Sequence, residues 1–167
     1  KDNSASRSVR ILCLFVSIVI LPTPRVFSFP AAPGGDTTTY LLHVKAGWNL
    51  LSLPVEVTSG AKETIFPTAI SNAFAFDTSY VVVDTLENGR GFWIKFASAE
   101  TISVIGVVNY TDTIALRAGW NIIGILSTPV EVRAISTTPP GIVASNYFGY
   151  FPPPSGYQKV DTLQPGT

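Results

Sequence analysis

Few side chains in this sequence could do chemistry, and their spacing limits each of them. His43 is the only histidine. It could act as the base of a Ser-His-Asp arrangement, but no Gly-x-Ser-x-Gly elbow accompanies it. One histidine, with Cys13 the only cysteine, leaves a metal site short of ligands. Alternation along Leu42-His43-Val44 sets His43 opposite the apolar pair, so a surface or rim histidine is the reading. The acids Glu56, Glu131, Asp84 and Asp161 invite a paired-carboxylate hydrolase, which needs two acids about 5–10 Å apart in one site. No Asp-x-Asp-x-Asp-Gly run offers a calcium loop. Asn109-Tyr110-Thr111 fits a glycosylation sequon and reads here as a turn. No catalytic, cofactor-binding or metal residue is assigned, and the expectation is a protein that is not an enzyme and carries no cofactor.

The aromatics are a different matter. Exposed Trp and Tyr rings stack on sugar faces, which makes a carbohydrate-binding module one reading of Trp48, Trp93 and Trp120. Set among aliphatic neighbours, Trp48 and Trp120 read instead as core plugs, each indole N–H satisfied near a turn. The expected ligand or partner surface is Phe151, Tyr157, Tyr150 and Trp93. The first two bound a proline-rich stretch, Phe151-Pro152-Pro153-Pro154-Ser155-Gly156, that has no copy elsewhere in the chain, and function concentrates in loops.

The elements that position these residues come in duplicate. Ala46-Gly47-Trp48-Asn49 returns as Ala118-Gly119-Trp120-Asn121, Pro54-Val55-Glu56-Val57 as Pro129-Val130-Glu131-Val132, and Val83-Asp84-Thr85-Leu86 as Val160-Asp161-Thr162-Leu163. The anchors keep their order at offsets of 72, 75 and 77 residues, which marks a duplicated module. Duplication bears on the chemistry. His43 maps to Ala115. Each acid recurs singly in each copy, pointing to a repeated local job: Asp84 at the turn closed by Asn88-Gly89, Glu56 paired with a strand Lys or Arg.

Within a repeat, period-two alternation predicts a strand through Leu42 and Val44, a Lys45-Ala46-Gly47 turn, and a partner strand Trp48–Val55 that closes a hairpin. Ala61–Phe66 fits one helical turn before Pro67, while Pro139-Pro140-Gly141 makes the matching stretch a loop. Ala73–Phe76 and Tyr147–Tyr150 carry an aromatic on every second residue. Strands over Tyr80–Leu86 and Tyr157–Leu163 follow, then Gly91–Phe96 after the Asn88-Gly89 turn, then Thr101–Val108. About six short strands per repeat define an all-β protein of two tandem β-sandwich-like or barrel-like repeats. Residues 40–109 form the first. Residues 110–167 form the second, expected to be truncated because Gly166-Thr167 stops where its Gly-aromatic-Trp strand should begin.

A basic head at Lys1, Arg7 and Arg10, the apolar run Ile11–Leu21 and small residues through Ser28 predict a signal peptide over 1–28, with cleavage between Ser28 and Ala32. The alternative is an uncleaved anchor, although the run falls short of the roughly 20 apolar residues of a span. A Pro/Gly/Thr-rich linker follows over 29–39. After Ser28 ten acidic residues face seven basic ones, a net charge of −3, so nothing suggests a nucleic-acid partner, and membrane contact is expected only in transit through the signal peptide.

Taken together, the Gly47–Leu53, Pro54–Val57, Ala73–Phe76 and Leu86–Lys95 stretches and their second copies resemble a β-repeat module of large secreted proteins of the Bacteroidetes–Chlorobi–Ignavibacteria group. That resemblance implies placement outside the cell or on its surface. It also implies frequent association with a type IX secretion sorting domain, and no known catalytic residues. The functional expectation is a structural or adhesive segment of a larger secreted or cell-surface protein, its partners being other domains of that protein and a cell-surface glycan or protein. The alternative is a carbohydrate-binding module attached to an exported hydrolase. A repeat-built propeller hydrolase is a weaker third.

Overall fold

A computed structural model describes residues 35–125 and 127–167. The signal peptide expected over 1–28 lies outside them. Six strands come from repeat one: β1 (Thr37–Val44), β2 (Gly47–Ser52), β3 (Ala73–Phe76), β4 (Tyr80–Val83), β5 (Gly91–Phe96) and β6 (Glu100–Val107). A one-turn helix, α1 (Lys62–Ile65), stands before Pro67, and Thr37–Thr39, read as linker from composition, belong to β1. Repeat two supplies β7 (Val130–Glu131), β8 (Phe148–Phe151), β9 (Gly156–Lys159) and β10 (Thr162–Leu163), with a 3-10 turn at Val132–Ala134. The chain is all-β. Every sheet is antiparallel, and none of those among the described residues closes into a barrel.

The expected β1–β2 hairpin does not form. β1 pairs along its whole length with β6, Thr37 opposite Val107 and Val44 opposite Glu100. β2 joins a different sheet, of order β2-β5-β3-β4. The reason is a side chain. Asn49 is buried, and its Oδ1 accepts the Lys45 N–H at 2.9 Å while its Nδ2 donates to the carbonyls of Lys45 at 2.8 Å and Gly47 at 3.0 Å. Gly47 supplies the positive φ of 89°. With the turn's polar groups held by an amide, the chain leaves one sheet and enters the other. Leu42 and Val44 then face Leu51 and Leu53 across a common interior. Asn121 repeats the arrangement on Arg117 and Gly119 at 3.0, 2.8 and 3.0 Å.

The segments read as continuous strands, Tyr80–Leu86 and Tyr157–Leu163, break after Val83 and Lys159 because they change partner. β4 pairs with β3, whereas Thr85 bridges Ala61 and the Asp84 carbonyl accepts the Lys62 N–H at 2.9 Å. Likewise β9 pairs with β8, and β10 turns to β7, the Asp161 carbonyl accepting from Val132 at 3.0 Å.

Two apolar interiors result. The first lies between the β1·β6 ladder and the inward face of the four-stranded sheet. Phe66 is sealed there against Phe92 and Phe96, with ring centroids 5.8 and 6.0 Å away. The second gathers Ile122, Ile123, Ile125, Tyr147 and Leu163 and draws in Leu50, Trp93 and Phe76 from the outward face of repeat one. One repeat thus completes the other's burial, which favours modules whose size makes them only marginally stable alone. Polar stitches cross the junction: Ser127 Oγ donates to the Pro54 carbonyl at 2.6 Å, Gly91 N–H to that of Ile122 at 3.3 Å and Ser52 N–H to that of Gly166 at 3.2 Å, and Arg117 pairs with Asp77. Ser52 meets its own counterpart here. A Cβ placed on Gly124 would stand 2.7 Å from that of Ser52.

Replacing Asn49 by Ala deletes three hydrogen bonds and orphans the Lys45 N–H. The expected cost is about 1–3 kcal/mol, measured by urea denaturation. An unchanged midpoint would show that the corner is held by something else.

Candidate functional site: an aromatic cleft between the repeats

The outward face of the four-stranded sheet carries the rings. Register sets Trp48 opposite Lys95, Leu50 opposite Trp93, Phe74 opposite Trp93 and Phe76 opposite Tyr80. Residues paired across a ladder share a face. Trp48 therefore points away from the core, and Lys95 Nζ lies 5.9 Å from its ring. This corrects the reading of Trp48 and Trp120 as core plugs: they are 42% and 38% exposed. The cause is the neighbouring amide. Asn49 and Asn121 occupy the buried position to close their turns; in β2 strand alternation then turns Trp48 outward, and Trp120, which precedes Asn121 outside any strand, is exposed in the same way. Each Trp leans edge-on against an aromatic, Trp48 on Phe74 of β3, two places away in its sheet, at 5.9 Å, and Trp120 on Phe148 of β8 at 6.5 Å.

The β8–β9 hairpin of repeat two folds over this face. Tyr150 stands 4.6 Å from Trp93 at an interplanar angle of 75°. Tyr157 lies 6.4 Å from Trp93 and 5.4 Å from Tyr150. Between sheet and hairpin opens a cleft of about 440 Å³ lined by Trp48, Phe74, Tyr80, Trp93 and Tyr150. A second hollow of about 430 Å³ shares Trp48 and Tyr150 and adds His43, Lys45, Thr162 and Gln164. Through these shared residues the two hollows make one trough, ring-lined in the first and in the second mostly apolar with a few donors and acceptors.

Of the four residues expected to form a surface, Trp93, Tyr150 and Tyr157 come together as a ring cluster. Phe151 follows Tyr150 in β8, so it takes the other side of the strand and lines only the polar hollow, 43% exposed. Trp48, Phe74 and Tyr80 were missed as site residues. A signal for them existed: Phe74 and Trp48 fall on the strand face opposite the buried Ala73, Ala75 and Asn49.

Each candidate titratable group has its own local setting. His43 is exposed, its Nδ1 2.9 Å from Thr101 Oγ1. Glu56 bridges Val107 through its backbone, Glu131 pairs with Arg133, and Asp161 holds Lys159 at 3.2 Å. Asn88, rather than Asp84, ties down the following turn, its Nδ2 donating to the Val55 carbonyl at 2.8 Å. Among the described residues, no three His, Cys, Asp or Glu side chains gather as a metal would need. No helix among them is long and apolar enough to cross a membrane.

Burial pushes the phenols of Tyr40 and Tyr147 above their ordinary value of 10.0. Tyr40 Oη donates to the Pro165 carbonyl at 3.1 Å, tying β1 to the last residues of repeat two. The unfolded chain releases these protons near the ordinary value and the folded chain only above it. The stabilisation is therefore complete below about pH 10 and lost as pH rises through the folded values. Denaturation midpoints should fall over that range, and a Tyr40→Phe, Tyr147→Phe double variant should flatten the fall.

Comparison with protein families, with curated proteins and with solved structures gives no match.

Proposed function

We propose that the chain is a non-catalytic extracellular β-repeat segment that serves as an adhesive module of a larger secreted or cell-surface protein, holding glycans in the cleft between its repeats. The observation that carries this reading is the trough itself. Five rings line one end, and His43, Lys45, Thr162 and Gln164 stand at the other. A pyranose has an apolar face of C–H groups and an equatorial rim of hydroxyls, and such a trough meets both. Trp48 and Tyr80 are open enough to accept a ring, whereas the T-shaped Trp93–Tyr150 pair forms a wall. The same trough would serve the second reading, a carbohydrate-binding module attached to an exported hydrolase. The two differ in what the parent protein carries elsewhere, not in this site.

A glycan array followed by titration calorimetry tests the proposal. At least one oligosaccharide should bind saturably. Trp48→Ala should weaken it about 2- to 12-fold, the range expected from about 0.5–1.5 kcal/mol per aromatic contact. Trp120→Ala, which removes the twin Trp outside the trough, should leave affinity unchanged. An array without saturable binding, or equal losses from both substitutions, would leave a purely structural module.

A further inference from the structure

Positive charge is distributed unevenly around the trough. Residues 35–167 carry seven Lys and Arg side chains against ten Asp and Glu, so carboxylates are in excess. Five of the seven cations take a carboxylate partner: Lys62 on Glu63, Arg90 on Glu87, Arg117 on Asp77, Arg133 on Glu131 and Lys159 on Asp161. Among the described residues, the two left without one are Lys45 and Lys95, and both stand beside Trp48. Lys95 Nζ lies 5.9 Å from the Trp48 ring, near the outer reach of a cation–π contact, so its ammonium keeps donors for an anion. Lys45 is exposed and lines the second hollow together with Trp48. Neither hollow is lined by an Asp or Glu side chain. Glu100, in register with Val44 next to Lys45, accepts from Thr68 Oγ1 at 2.6 Å.

Repeat two treats the same position differently. Arg117 is the counterpart of Lys45 at the offset of 72, its N–H bonded to Asn121 as that of Lys45 is to Asn49. Arg117 is neutralised by Asp77, whereas Lys45 is not. The uncompensated charge therefore belongs to the Trp that faces the trough. With a net charge of −3 after Ser28, the chain as a whole does not draw anions, so any attraction is local to these two lysines.

Ring and charge together ask for one kind of ligand. A neutral sugar meets Trp48 and leaves the ammonium groups without a counter-charge; a simple anion does the reverse. We infer that the trough selects acidic polysaccharides, whose pyranose units bear a carboxylate or a sulfate, an inference that rests on the reading of the cleft as a glycan site. The sugar ring lies at Trp48, and Lys95 and Lys45 hold its anionic group through charge-assisted hydrogen bonds.

The test applies the 167-residue chain to an array of neutral and acidic oligosaccharides, where the saturable hits should be acidic. Calorimetry then compares matched pairs: an oligogalacturonate with its methyl ester, and a sulfated galactan oligosaccharide with its desulfated form. In dilute buffer the acidic member should bind about 2- to 25-fold more tightly, the range for two exposed ion pairs, and the preference should shrink as salt rises to about 0.15 M. The pair that shows the preference tells carboxylate from sulfate. Lys45→Gln and Lys95→Gln should each lower the acidic-to-neutral affinity ratio about 2- to 5-fold, whereas Trp48→Ala should weaken both members of a pair. Neutral hits alone, equal binding within both pairs, or a ratio that neither lysine substitution moves would overturn the inference and leave the glycan cleft standing. An array without any saturable hit overturns both.

Discussion

The buried amide after each Gly-Trp pair is the interaction on which the rest of this structure depends. A strand-turn-strand sequence of this kind ordinarily closes a hairpin. Here Asn49 takes the turn's backbone groups for itself and sends the chain across the interior instead. Two consequences follow from one side chain. The inward faces of β1 and β2 meet over a common core rather than lying edge to edge. And because the amide needs the buried position, the adjacent Trp must take the outward one, so the residue that builds the fold also creates the aromatic surface.

That surface is shared. Trp93, Leu50 and Phe76 are outward on their own sheet yet lie against the second core, so the four-stranded sheet is buried on part of both faces. The β8–β9 hairpin covers this middle and leaves Trp48 and Tyr80 open at its margin. A cleft at the seam between two modules is where concave binding sites tend to arise. The seam is also where the repeats diverge: the proline-rich turn of repeat two has no equivalent in repeat one, and it joins the strands that carry the Tyr150 and Tyr157 rings.

Much of the architecture was legible in the sequence. Period-two alternation, turn residues and the internal repeat located the six strands of repeat one, and Pro67 and the Ala61–Phe66 pattern placed its helical turn. Partner choice was not legible, because Leu42 and Val44 present the same alternation whether β1 pairs with β2 or with β6. What decides between them is a hydrogen-bonding role for Asn49 that composition does not announce. Trp48 was misplaced for a related reason: recurrence among aliphatic residues looks alike for a core residue and for one on a repeated outer face. The site residues Tyr150, Tyr157 and Trp93 were accessible to reasoning because the chain departs from its own repeat near them.

Ser52 and Gly124 occupy equivalent places and touch each other across the seam. Two identical copies could not dock this way with serine in both, since the second Cβ would collide with the first. The association of the halves is therefore intrinsically unequal. Duplication alone could supply two such modules, but seating them together demanded that one of them give up a side chain at the crossing point. The asymmetry of the pair is thus a condition of its assembly as well as a record of divergence, and exchanging the two modules in order would not regenerate the same contact.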